Sequence, residues 1–247
     1  GENPHQPAAI YTERGAQGWW REATIHQGKA MSFNNYADTE AAWRLVGDLS
    51  RPGVVVMKHM NACGAAEGAT LSEAFGTAWE CDPTSGFGGI VALNEELDED
   101  TARRIVTNFV EVVIAPALTE AAANLLTSKK NLRVVTARFP EMGDLDMRRV
   151  EAGMLVQYRD SLATAGGDVP TEWRVVSERT PTDEEMAALR FAWTVAGHTK
   201  SNAIVIASGR AAVGVGEASM LRVEQLVESG VDVIVVDTAH ESDHEGR

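Results

Sequence analysis

Apolar residues in this chain come in short runs, set apart by polar segments with helical spacing. The densest run, Val54-Val55-Val56-Met57, is flanked by Gly53 and by Lys58-His59. Its β-branched residues predict a core strand that ends where charge begins. A turn is expected across residues 61–68. Thr70-Leu71-Ser72-Glu73 then has the form of a capping box, predicting a helix to about residue 80. Residues 82–89 are dense in turn formers and read as a loop, followed by a strand at residues 90–93. A helix over 100–109, a strand over 112–115 ended by Pro116, a helix over 119–130 and a strand over 132–135 complete this half. The alternation predicts an α/β fold with a sheet covered by helices.

Residues 137–149 read as irregular and Gly166-Gly167 as a second break, which places a boundary near Ala137 and divides the chain into 1–136 and 137–247. Past it, Thr182-Asp183-Glu184-Glu185 repeats the capping pattern ahead of a helix reaching about residue 196. Residues 203–207 and 211–215 form an expected hairpin around Ser208-Gly209-Arg210. A helix over 222–228, stopped by Gly230, leads to a buried strand over 231–236. No internal repeat is evident.

Composition narrows the function classes. With 247 residues, 44% hydrophobic and 23% charged, the chain can bury a large core. A net charge of −14 argues against a nucleic-acid surface, though not against a small anionic ligand held by local cations. No apolar run approaches the ~20 residues that span a bilayer, so no membrane association is expected. The first residues lack a secretion signal and an initiator methionine, which predicts a processed, excised or incomplete chain. Two cysteines, Cys63 and Cys81, fit a reducing cytoplasm better than a disulfide framework. The six histidines show no zinc spacing, so no metal is expected.

Candidate chemistry centres on Lys58 and His59, which offer a cation for developing negative charge and a group that moves protons near neutral pH. The plain alternative is a snorkelling lysine beside a histidine bound to a backbone carbonyl. Ser85-Gly86-Phe87-Gly88-Gly89 sets small residues around one aromatic ring and would let a planar ligand approach the backbone; an ordinary turn with Phe87 in the core is the alternative. Lys200-Ser201-Asn202 adds a cation, a hydroxyl and an amide before a strand, and Asn34-Asn35-Tyr36 forms a polar cluster after Lys29. Both have the alternative of a simple polar turn.

Seven segments occur together in one order: Gly1-Glu2-Asn3-Pro4-His5-Gln6; Met31-Ser32-Phe33-Asn34-Asn35-Tyr36; Lys58-His59-Met60-Asn61-Ala62-Cys63-Gly64; residues 82–89; Glu111-Val112-Val113-Ile114-Ala115-Pro116; Phe191-Ala192-Trp193; and Lys200-Ser201-Asn202-Ala203. Over roughly residues 1–216 the chain thereby resembles the formyltransferase half of the bifunctional purine-biosynthesis enzymes that join AICAR (5-aminoimidazole-4-carboxamide ribonucleotide) transformylase to IMP cyclohydrolase. The resemblance implies formyl transfer from 10-formyltetrahydrofolate, a co-substrate, to the 5-amine of AICAR, without a catalytic metal. It gives His59 proton transfer together with the substrate carboxamide, Lys58 stabilisation of the anionic intermediate, and Asn202 orientation of the formyl oxygen. Asn61, Gly64, Phe87, Gly88, Glu111 and Ser201 match substrate-site positions, with Glu111 near the base or ribose. It further implies two cytidine-deaminase-like three-layer subdomains, the second incomplete, in a cytoplasmic homodimer with sites built across the interface.

The sequence also departs from that family. The cyclohydrolase domain is missing, so ring closure is not expected, and so are the later folate-site segments. The last 35 or so residues are similar to a strand–helix–strand piece of IMP dehydrogenase, which predicts a chain truncated or chimeric after about residue 216. Two further readings stay open: a catalytically incomplete nucleotide-binding or dimerisation module of the same family, and an oxidoreductase related to IMP dehydrogenase. The second lacks a nucleophilic thiol in the later part of the chain.

Overall fold

The computed structural model describes residues 2–3, 5–12, 14–15, 18–50, 52–140, 145–158, 174–176, 178–200, 203–217 and 233–236. In chain order the elements are α1 (Trp19–Glu22), β1 (Thr24–Gln27), α2 (Phe33–Asp48), β2 (Gly53–Lys58), β3 (Asn61–Glu67), α3 (Leu71–Cys81), α4 (Pro83–Gly86), β4 (Gly89–Leu93) and α5 (Glu99–Ile105). They continue as β5 (Val110–Ala115), α6 (Glu120–Leu126), β6 (Arg133–Thr136), β7 (Leu145–Val150), β8 (Gly153–Tyr158), α7 (Asp183–Gly197), β9 (Ala203–Ser208), β10 (Ala211–Glu217) and β11 (Val233–Val236).

Nine strands form one mixed sheet in the order β1-β6-β5-β4-β2-β3-β10-β9-β11. Its parallel pairings are β4 with β5 and β5 with β6, while β2 runs antiparallel to both β3 and β4. The valine run lies at the centre and alternates between two cores. Val55 and Met57 pack with Trp43 and Val46 of α2 and with Phe191 and Val195 of α7. Val54 and Val56 pack with Phe75 of α3, Ile105 of α5 and Leu126 of α6. Helices therefore cover both faces, which is why β2 is apolar at consecutive positions instead of alternating. Buried Asn94 stitches the entry to β2, accepting from the Gly53 N–H at 2.7 Å and donating to the carbonyls of Leu49 and Ser50.

Four regions differ from the expectations. Of the residues expected as a turn, Asn61–Glu67 are a strand, β3, and the turn shrinks to His59-Met60, both left-handed with φ 55 and 61°. β3 is rich in alanine and glycine because α3 lies directly on it: a Cβ on Gly64 would come within 1.9 Å of the Ala78 carbonyl oxygen. Asn34-Asn35-Tyr36 opens α2, capped reciprocally by Ser32 and Asn35, rather than forming a turn. Within residues 82–89 a helical turn, α4, is capped by Asp82, which accepts from the Ser85 N–H. Residues 145–149, read as irregular, belong to β7, which pairs with β8 in a hairpin outside the large sheet. Leu145, Met147, Met154, Val156 and Tyr158 share one face of that hairpin and are exposed.

Strands from either side of Ala137 meet where Ala211 and Ala212 of β10 pair with Ala66 and Ala65 of β3, and β10 pairs on its other edge with β9 in the expected hairpin. The capping box at Thr182 and Glu185 opens α7 reciprocally, and α7 joins α2 through His198 Nε2 and Asp48 Oδ2 at 2.7 Å. The expected helix over 222–228 lies outside the described residues.

Candidate functional site

Three local structures converge at the end of β2. Lys58 is its last residue, and its Nζ donates to the Phe87 carbonyl oxygen at 2.5 Å. That carbonyl closes α4, so the ammonium is held against the connection into β4. His59 follows on the two-residue turn with its side chain exposed. The turn backbone is held from α2: the His59 N–H donates to Asp38 Oδ2 at 3.2 Å, and the Met60 N–H to Asp38 Oδ1 at 2.8 Å.

Phe87 and Gly88 form the neighbouring wall. Phe87 is 59% exposed rather than in the core, and it packs on Phe109 with ring centroids 4.9 Å apart. Gly88 has φ +73° and donates its N–H to the Phe109 carbonyl at 2.8 Å. A Cβ there would lie 3.2 Å from the Phe109 ring and 3.8 Å from Lys58 Nζ, so glycine keeps open the space between cation and ring.

Glu111 comes from β5 behind Phe109. Its Oε2 accepts from Asn35 Nδ2 at 2.9 Å and from Arg133 Nη1 at 3.3 Å. Arg133 also donates from Nε and Nη2 to the Ala30 carbonyl, which fixes the guanidinium edge-on. A cleft of about 380 Å³ opens here, lined by Lys29, Phe109, Glu111, Lys129, Lys130 and Arg133 among others. Four cations around one cleft stand out on a chain of net charge −14.

The structure thus brings Lys58, His59, Phe87, Gly88 and Glu111 into one neighbourhood. Asn61 sits beside them at the start of β3, with its Oδ1 buried and without a hydrogen-bond partner. Gly64 is further along β3, beneath α3, and away from the cleft. Ser201 and Asn202 lie outside the described residues. Sequence reasoning missed Asp38, Phe109, Lys129, Lys130 and Arg133. The Lys129-Lys130 doublet was visible, but only the pairing of β1 with β6 carries it to Lys29.

Neither thiol is activated. Burial pushes Cys63 up to about 11, with the nearby Asp82 carboxylate adding to the rise, and burial likewise raises Cys81 to about 11. Both stay protonated near neutral pH. Among the described residues, no group of three His, Cys, Asp or Glu side chains could hold a metal ion, and no helix is long and apolar enough to cross a membrane.

The family model described as AICARFT/IMPCHase bienzyme matches residues 1–229, continuing past residue 216 into the segment similar to IMP dehydrogenase. The chain is 47% identical over 230 residues to the bifunctional purine biosynthesis protein PurH of Cereibacter sphaeroides (strain ATCC 17029 / ATH 2.4.9), covering 91% of this chain and 43% of that protein. It is 47% identical over 237 residues to PurH of Ruegeria sp. (strain TM1040), covering 94% and 44%. For PurH of Lysinibacillus sphaericus (strain C3-41) the figures are 44% over 226 residues, covering 90% and 44%. The chain spans less than half the length of these curated relatives.

Proposed function

The chain belongs to the AICARFT/IMPCHase bienzyme family, and from that premise we propose that it carries the formyl-transfer site of de novo purine biosynthesis. The observation that supports this most directly is the Lys58 ammonium, fixed by the Phe87 carbonyl beside the space that Gly88 leaves open, with His59 next to it.

On this reading AICAR is the acceptor and 10-formyltetrahydrofolate supplies the formyl group. The AICAR amine nitrogen adds to the formyl carbon to give a tetrahedral oxyanion, which collapses as the bond to the folate nitrogen breaks. The amine proton must leave and the folate nitrogen must gain one, and His59 is the group placed to move it, together with the substrate carboxamide. Lys58 neutralises the negative charge developing on the formyl oxygen, and Asn202 orients that oxygen. The basic cleft takes the 5′-phosphate through Lys29, Lys129 and Lys130, and Glu111 accepts from the ribose hydroxyls. Phe87 gives the flat base an apolar face, with Gly88, Asn61 and Ser201 completing the substrate contacts, while Gly64 seats α3 on β3 and takes no part in them.

We assign residues 1–136 and 137–247 to two subdomains of the cytidine-deaminase-like layered type, joined along β3 and β10. The same reading makes the protein a cytoplasmic homodimer with sites across the interface, and the exposed apolar face of β7 and β8 is surface that a second copy would cover. Ring closure is assigned to sequence outside this chain.

A second reading has its own support. The cleft is lined by residues between Lys29 and Arg133, so the phosphate and ribose contacts proposed for it do not draw on the later chain even if transfer does. The raised thiols leave the oxidoreductase reading without a nucleophile. The deciding experiment mixes the purified chain with AICAR and 10-formyltetrahydrofolate and follows tetrahydrofolate formation. Calorimetry with AICAR runs alongside, and Lys58→Ala is the control. Turnover lost in the variant supports transfer, AICAR binding without turnover supports the nucleotide module, and neither signal overturns both.

A further inference from the structure

We propose that Asp38 is a positioning residue: its buried carboxylate holds the Lys58-His59 corner in the left-handed turn that presents both side chains to the site. The inference rests on the reading of Lys58 and His59 as the groups that carry the chemistry.

A two-residue hairpin turn with φ positive at both positions is normally built from Asn, Asp and Gly, which tolerate that conformation. Here the positions are His59 (φ 55°) and Met60 (φ 61°), side chains that disfavour it. Something outside the hairpin must therefore hold the turn, and Asp38 is placed to do so. It is 8% exposed, on a helix anchored in the core by Trp43 and Val46. Each carboxylate oxygen takes one turn N–H, Oδ2 from His59 and Oδ1 from Met60. That arrangement asks for an ionised acid. An amide in its place has one acceptor oxygen and would set its own N–H₂ against the second N–H. Charge-assisted bonds to backbone amides are also the stronger kind.

The helix gives this contact a wider meaning. Asn35 lies three residues before Asp38, on the same helical face, and reaches Glu111. One face of α2 thus holds the turn bearing His59 on one side and the carboxylate of the basic cleft on the other. Relaxing the turn to a right-handed form would swing the imidazole and the end of β2 while leaving α2 and the cleft in place. The expected signature is a loss in turnover rather than in nucleotide affinity.

The test compares the full chain with Asp38→Asn, Met60→Gly and the double variant. Formyl transfer and ¹⁵N–¹H spectra of the His59 and Met60 amides are both measured. In the parent, the two amide protons should be shifted downfield by their bonds to the carboxylate. Asp38→Asn should move at least one of the two amide protons upfield and lower kcat roughly 10–100-fold with KM for AICAR nearly unchanged. Met60→Gly should restore a large part of kcat to the Asn variant, because glycine adopts the left-handed turn unaided. Unchanged kcat in folded Asp38→Asn, or a loss that Met60→Gly does not relieve, would overturn the proposal. If the parent itself transfers no formyl group, the functional reading falls alone. The spectra still decide the positioning role, since amides that ignore the Asp38→Asn change would sink it.

Discussion

Asn35 Nδ2 meets Glu111 Oε2 at 2.9 Å, so the first turn of α2 and the start of β5 are joined at one carboxylate oxygen. Arg133 Nη1 shares that oxygen at 3.3 Å. The hydrogen bonds of Glu111 among the described residues all go to Oε2, and on the proposed reading Oε1 is the oxygen that meets the substrate. Glu111→Gln should weaken AICAR binding by about 1.5–3 kcal/mol, the usual worth of a hydrogen bond to a charged group. Asn35→Ala removes only the orientation and should cost about 1 kcal/mol. Calorimetric titration of AICAR into both variants checks the order of the two effects; equal losses would show that Glu111 acts through Asn35 alone.

The glycines at 88 and 64 make opposite predictions. A methyl group on Gly88 enters the space between the Phe109 ring and Lys58 Nζ, at 3.2 and 3.8 Å, in a backbone conformation that disfavours it. Gly88→Ala should impair AICAR binding with a stability loss of only about 1–2 kcal/mol. A methyl group on Gly64 would overlap the Ala78 carbonyl oxygen at 1.9 Å, and neither backbone can yield without parting α3 from β3. Gly64→Ala should cost at least about 3 kcal/mol, at the upper end of overpacking penalties. Thermal melts beside binding titrations separate the site glycine from the packing glycine.

His59 is exposed on its turn, so replacing it disturbs little packing. His59→Ala should lower formyl transfer by roughly 10²–10⁴-fold, the span of general acid–base catalysis, with the melting temperature nearly held. On the proposed reading Lys58→Ala removes the charge that faces the formyl oxygen, and it should cost about 10²–10³-fold, as a single oxyanion-stabilising donor does. A His59→Ala variant that turned over at the parent rate would remove the imidazole from the mechanism.

The parts of this architecture legible in the sequence were those where one signal sufficed. The valine run ends at Lys58 as expected, because a strand buried on both faces needs consecutive apolar residues. Thr182 with Glu185 opened α7 on a local hydrogen-bond pattern alone. β3 was hidden because Asn61-Ala62-Cys63-Gly64-Ala65-Ala66 carries little β propensity, and its strand state comes from pairing with β2 and β10 and from the helix seated on Gly64. α2 was hidden behind Asn34-Asn35, residues usual in turns, although Ser32 and Asn35 cap each other reciprocally. The site was half legible. Lys58, His59, Phe87, Gly88 and Glu111 stand in recognisable local contexts. Asp38 and Arg133 are single charges in ordinary elements, and only the tertiary pairing shows what they hold.

The two thiols give a prediction independent of the proposed function. With Cys63 and Cys81 both raised to about 11 by burial, only about a thousandth of either is thiolate at pH 8. Alkylation by iodoacetamide at pH 8 should run roughly 100-fold slower than for an unfolded chain and speed up about tenfold for each pH step toward 11. Mass spectrometry of the native protein against a urea-unfolded control reads both rates. Fast labelling of Cys63 in the native state would show an activated thiol and reopen nucleophilic chemistry at β3.

Acid should release the start of α7 before it unfolds the core. The Arg179 hydrogen bond, then the Thr182 backbone N–H, hold the Glu185 carboxyl down from 4.5 to about 2. A carboxyl depressed on folding contributes stability that is fully present above its unfolded value and is lost as pH falls through the folded one. The window is therefore about 4.5 down to about 2, and above it the contribution is constant. Glu185 also completes the capping box by accepting from the Thr182 N–H, so its protonation weakens its bonds to both Arg179 and that amide. Amide hydrogen exchange over residues 182–186 should accelerate across this window while exchange in β2 does not. In Glu185→Gln the first turn of α7 should exchange faster at neutral pH and lose the acid-dependent step. Uniform acceleration of α7 and β2 together would mean that acid acts on the core instead.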